Sequence, residues 1–261
     1  MTKHPLYGLG TALVTPFKDD KSVDFEALAR LLDIQLTGNV DYLVVLGTTG
    51  EAVTLTTEEK REVRQHIVAY TKQWAATHDT TPLPLVLGVG GNNTAQVISD
   101  LKNMKDELIS DFTAILSVCP YYNKPNQEGL FQHFCAIAEA SPIPIILYNV
   151  PGRTGVNLLP ETVMRLYNAH PNKIICIKEA SGNISQIAEI ANLCGEDLYI
   201  YSGNDDQIVP ILALGGLGVI STAAQTVVNG VFFGTASLES VVIGEGLKSI
   251  GSEAFKNSTV S

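Results

Sequence analysis

The stretch "VTPFKDDKS" (14–22) closes the first β-rich run of the chain and contains no glycine. An open, doubly wound α/β sheet of this size usually carries a glycine-rich phosphate turn at this place. The missing turn matters because strand-like and helix-like segments alternate along the rest of the chain. The strand-like runs are "LGTALVT" (9–15), "YLVVLG" (42–47), "PLVLGVG" (84–90), "FTAILSV" (112–118), "IPIILYNV" (143–150), "IICIK" (174–178), "LYIYSG" (198–203) and "GVIST" (218–222). A helix-like segment fills each of the seven gaps between them. "GVGGNN" (88–93), after the third run, ends in Asn93 and so does not complete a dinucleotide fingerprint. Repeated βαβ units predict a parallel sheet. The count of eight and the absent phosphate turn predict that it closes into a (β/α)8 barrel.

Helix signals agree with this division. Thr56 with Glu59, and Asn93 with Gln96, have capping-box spacing. Val63, Ile67 and Tyr70 recur at the three-to-four spacing of a helix face. The chain has 261 residues, 45% hydrophobic and 17% charged, which is ample for a packed core. Its formal net charge of −10 argues against nucleic acid or an anionic membrane as partner. A local cation still permits an anionic substrate. Cys119, Cys135, Cys176 and Cys194 form no C-x-x-C and read as reduced thiols. The five histidines have no metal-ligand spacing, so no metal is expected. With neither a signal-peptide block nor an apolar run near ~20 residues, a cytoplasmic location is expected.

In a barrel, reactive groups gather at the C-terminal ends of the strands. The second run leads into Thr48 and Thr49, and the fourth into Tyr121 and Tyr122. The fifth ends in Tyr148 with Arg153 close behind, the sixth in Lys178, and the seventh in Ser202 and Gly203. The eighth carries Ile220 and Ser221. Each has a plain alternative. A lysine at a strand end is usually a solvated loop charge. A tyrosine there is commonly a core edge, and "GTTGE" (47–51) is compatible with a simple tight turn. "LGGLG" (214–218) is compatible with a phosphate turn. What the plain readings do not predict is their convergence on one rim. A lysine amine desolvated in a barrel mouth favours its neutral form, which attacks carbonyls. The resulting Schiff base needs proton shuttles, for which Tyr148, Tyr122 and Thr48 are candidates. Thr49 and backbone N–H groups suit a keto-acid carboxylate, and Arg153 suits a second carboxylate.

"GTTGE" (47–51), "PYYN" (120–123), "YNVPGRTG" (148–155), "IKEASGN" (177–183), "SGND" (202–205) and "GVIS" (218–221) stand in the order of a known family. Together they resemble the dihydrodipicolinate synthases, class I pyruvate-dependent aldolases, from about Tyr7 to Ser221. The resemblance implies a (β/α)8 barrel that condenses pyruvate with aspartate semialdehyde on the route to diaminopimelate and lysine. It implies no cofactor beyond the covalent Schiff base of pyruvate on Lys178. Tyr148 would be proton donor and acceptor. Thr48 and Tyr122 would complete the relay, with Tyr122 reaching into a neighbouring subunit of a homo-oligomer, usually a tetramer. Thr49, Gly203 and Ile220 would belong to the substrate site, and Arg153 would receive the semialdehyde carboxylate. N-acetylneuraminate lyases are similar through the lysine and tyrosine but lack this arginine, which makes them a second candidate. A lysine-inhibition site would involve Lys60, Asn92, Gln96 and Tyr121. Sensitive members tend to carry His and Glu where Lys60 and Gln96 stand, which implies weak feedback.

After Ser221 the likeness ends. The expected division is a catalytic barrel over 1–222 and a divergent tail over 223–261, without the family's eighth helix and C-terminal helical domain. Within the tail, "LESVVIGEGLKSIGSEAF" (238–255) resembles one unit of a leucine-rich repeat. A single repeat cannot bury its own apolar side. A truncated or chimeric barrel with impaired catalysis is therefore the alternative to an active aldolase.

Overall fold

A computed structural model describes residues 4–104 and 109–225. The tail readings for 226–261, including the repeat-like segment and the missing eighth helix, lie outside the described residues.

The strands are β1 (Gly8–Ala12), β2 (Tyr42–Val45), β3 (Leu85–Gly88), β4 (Ala114–Val118), β5 (Ile145–Asn149), β6 (Ile174–Glu179), β7 (Tyr199–Ser202) and β8 (Gly218–Ser221). They pair in parallel in chain order, and β1 closes the barrel on β8 from Gly8↔Gly218 to Thr11↔Ser221. The predicted barrel is therefore the observed one. Several strands are shorter than the apolar runs, because the runs continue into rim turns. In "YLVVLG" the strand stops at Val45, and Leu46 turns off with a φ of 56°.

The helices are α1 (Phe25–Thr37), α2 (Thr57–Thr77), α3 (Thr94–Asn103), α4 (Gln127–Ala140), α5 (Pro151–Thr154), α6 (Pro160–Ala169), α7 (Ile184–Cys194) and α8 (Ile208–Ala213). Thr56 and Glu59 form a complete capping box on α2. Asn93 forms only half of one. Its side chain accepts from the Gln96 N–H, while the Gln96 side chain donates to Asp100 at 2.8 Å instead. The short helix α5 was not foreseen. Pro151 starts it, and Gly155 (φ 73°) ends it. Its single turn lifts Arg153 onto the rim that Tyr148 faces.

Two apolar layers follow from the period of two along each strand. One alternation points inward, where Val44, Val86, Leu116, Ile146 and Cys176 fill the barrel. The other meets the helices through residues such as Val45, Leu87, Ile115, Leu147 and Ile177. Tyr42 lies wholly inside the barrel and donates its hydroxyl to the Val219 carbonyl at 3.2 Å. Its ring passes so close to Gly10 that a Cβ there would lie 2.1 Å from a ring carbon. Gly10→Ala therefore overpacks the interior, at a cost of about 1–3 kcal/mol. The expected result is a lower urea midpoint at unchanged slope. A midpoint equal to that of the unsubstituted protein would contradict this packing.

Candidate active site

Lys178 and Tyr148 are register partners on β6 and β5, one residue from each strand's end. Both belong to the inward alternation, so the sheet itself puts amine and phenol side by side. Lys178 is 5% exposed, and its Nζ lies 4.4 Å from the centroid of the Tyr148 ring. That is within cation–π range when the amine is charged. Burial is the chief influence on the amine and pulls its pKa down to about 8; Asp205 opposes this and Arg153 adds to it. About one amine in ten is then neutral at pH 7, against roughly one in three thousand for an unperturbed lysine. Burial also pushes the Tyr148 phenol up, while Arg153 and a hydrogen bond with Thr48 work the other way.

Room for the lysine stem comes from the residue that follows β7. A Cβ on Gly203 would stand 3.0 Å from Lys178 Cε and 2.7 Å from Ala180 Cβ. The Gly203 N–H donates to the Glu179 carbonyl at 2.7 Å, which holds this close approach. The β2 loop makes a single 3-10 turn over Thr48–Gly50, followed by Glu51 with a φ of 53°. Thr15, from the glycine-free first loop, donates to the Gly50 carbonyl at 2.7 Å and ties that turn to β1. Thr49 Oγ1 lies 3.3 Å from Thr222 Oγ1, which joins the turn to the end of β8.

These groups enclose a cavity of about 120 Å³ lined by Thr48, Thr49, Tyr148, Arg153, Lys178 and Gly203. Six of the predicted site residues thus meet at one mouth. Two do not. Ile220 is fully buried in the barrel-interior cluster and does not line the cavity. Tyr122 is 87% exposed, with a φ of 73°, and does not line the cavity. Asn204 and Thr222 line the cavity and were missed. Each directly follows a strand-end residue that was named, so extending the rim by one residue finds both. Among the described residues no group of three or more His, Cys, Asp or Glu side chains is placed to hold a metal ion. No described helix is long and apolar enough to cross a membrane. The reactive inventory of the mouth is an amine, a phenol, three threonine hydroxyls and a guanidinium.

The model of the dihydrodipicolinate synthetase family matches residues 5–231. A 4-hydroxy-tetrahydrodipicolinate synthase of Flavobacterium psychrophilum is 50% identical over 218 residues, which is 84% of this chain and 70% of that protein. One of Caldicellulosiruptor saccharolyticus is also 50% identical over 218 residues, covering 84% and 69%. The solved dihydrodipicolinate synthase of Cyanidioschyzon merolae, with lysine bound, superposes with a TM-score of 0.77 at 40% identity, covering 85% of this chain and 72% of that one.

Competitive acetylation followed by peptide mapping checks the electrostatics of the mouth. Lys178 is expected to titrate near pH 8, well below the ordinary value of a lysine side chain. Asp205→Asn removes the charge that favours the ammonium and lowers the midpoint further, whereas Arg153→Ala raises it. A midpoint near that of a solvated lysine would show that the amine is not desolvated.

Proposed function

The chain belongs to the dihydrodipicolinate synthetase family, and from that premise we propose that it condenses pyruvate with L-aspartate 4-semialdehyde to 4-hydroxy-tetrahydrodipicolinate. The observation that carries this reading is the buried Lys178 amine beside the Tyr148 ring at the mouth of a closed barrel.

The neutral amine attacks the keto carbon of pyruvate. Loss of water, with a proton delivered through Tyr148, gives the Schiff base. Removal of a methyl proton then gives an enamine. Its carbon attacks the aldehyde of the semialdehyde, and the new alkoxide takes a proton from the relay. The amino group of the adduct finally displaces Lys178, which closes the ring and frees the amine. No cofactor is needed, because the imine on Lys178 is the electron sink.

Thr48 passes protons between Tyr148 and solvent. Thr49 and neighbouring N–H groups hold the pyruvate carboxylate, while Ile220 packs in the barrel core beneath the residues that line the cavity. Gly203 leaves space for the lysine stem and the bound acid. Arg153 receives the semialdehyde carboxylate through charge-assisted hydrogen bonds. Tyr122, outward on its own protomer, completes the relay in a neighbouring copy, so the active form is a homo-oligomer. The reaction is assigned to the cytoplasm, where free thiols such as the four here persist.

Arg153 also disfavours a sugar aldehyde as the partner substrate. Purified protein with pyruvate is expected to consume aspartate semialdehyde and to leave N-acetylmannosamine untouched. Arg153→Ala should raise KM for the semialdehyde roughly 10- to 150-fold, the value of a hydrogen bond to a charged group. Turnover with the sugar instead would favour the lyase reading. A pyruvate adduct on Lys178 without any turnover would favour a catalytically impaired barrel.

A further inference from the structure

We propose that a buried amide–carboxylate clamp behind the strands, centred on Glu179 and Asn149, is the positioning device that aims Lys178 and Tyr148 at the substrate. This rests on the reading of Lys178 as the Schiff-base residue.

Glu179 follows Lys178, and Asn149 follows Tyr148. They are the next register pair of β6 and β5. Because side chains alternate, this pair faces outward wherever the catalytic pair faces inward. Both side chains are fully buried under the helical layer. Asn149 Nδ2 donates to Glu179 Oε1 at 2.9 Å. Gln186, from the first turn of α7, donates to Oε2 at 2.9 Å, and the Ser181 N–H donates to Oε1 at 3.2 Å. Asn149 Oδ1 accepts from the Leu158 N–H at 3.0 Å, and its Nδ2 also reaches Asn157 Oδ1 at 2.8 Å. Asn157 and Gln186 bond to each other at 2.7 Å.

A carboxylate in a dry layer is expensive unless its oxygens are satisfied. Here three N–H donors satisfy it, and among the described residues no cation pairs with it. Burial pushes its pKa up, while Gln186, Asn149 and Ser181 favour the anion. An apolar pair at this place would pack as well and fix nothing. The carboxylate instead locks β5 to β6 one residue beyond the catalytic pair, and it locks both to α7 and to the segment entering α6. A one-residue slip would turn Lys178 and Tyr148 out of the barrel. A smaller shift spoils attack geometry, where about 1 Å can cost a hundredfold in rate. Glu179 touches no substrate; it acts through Lys178 and Tyr148.

The test is the rate at which borohydride traps pyruvate on Lys178, measured well below each variant's melting temperature. Glu179→Gln replaces one accepting oxygen by an N–H donor, which then faces the N–H of either Asn149 or Gln186. Trapping is expected to slow at least about tenfold. The double variant Asn149→Asp, Glu179→Gln puts the carboxylate on β5 and the amide on β6, so the bond across the strands is remade in reverse. It is expected to recover most of the rate, which a general loss of stability would not do. Gln186→Met removes one donor without touching either strand and serves if Glu179→Gln does not fold; about threefold slower trapping is expected. Unchanged trapping in a folded Glu179→Gln or Gln186→Met, or a double variant no faster than the product of its single effects, overturns the clamp. No adduct in the unsubstituted protein overturns the reading of Lys178 itself.

Discussion

Keeping one amine dry at the mouth of a closed ring of strands is the constraint on which the rest of this structure depends. An unpaired lysine is among the groups proteins least often bury. Here the cost is reduced by shifting the amine toward its neutral form, to a pKa of about 8, rather than by pairing it. That shift makes the amine a nucleophile near neutral pH, so the destabilising feature and the chemical one are the same. Two charges at the rim tune it in opposite directions: Asp205 favours the ammonium and Arg153 opposes it. A substrate carboxylate on Arg153 would weaken that opposition and join Asp205 in favouring the protonated form, which suits a protonated imine.

The barrel supplies this constraint through alternation. Lys178 and Tyr148 point inward because they share a phase of β6 and β5, and the residues after them point outward for the same reason. Small residues then clear the space. Gly203 leaves room for the lysine stem, and Gly10 leaves room for the Tyr42 ring lower in the barrel. Neither glycine is needed for its backbone freedom; each is needed for the atoms it lacks.

Much of this was legible in the sequence. Eight apolar runs, seven helical segments and a glycine-free first loop led to the closed barrel. Reading only strand-end residues led to Lys178, Tyr148, Thr48, Thr49, Arg153 and Gly203, which share one mouth. The rest was hidden for definite reasons. Helix α5 is a single turn, too short to show a period. Tyr122 lies four residues beyond β4, with a φ of 73° and its side chain exposed, and no composition rule reports that. Ile220 has the inward phase yet packs within the core instead of lining the cavity. The Glu179 network was passed over because a carboxylate beside a rim lysine looks like another rim charge. Only the partners Asn149, Asn157 and Gln186, far apart in the chain, show it to be buried and satisfied.

The claim that a desolvated Lys178 makes this barrel a Schiff-base enzyme is tested most directly with pyruvate isotopically labelled at its keto carbon. Mixed with the protein near pH 8, the labelled carbon should give an imine resonance in the nuclear magnetic resonance spectrum, and Lys178→Ala should abolish it. A spectrum showing only free pyruvate and its hydrate, with the protein folded and in excess, would contradict the account.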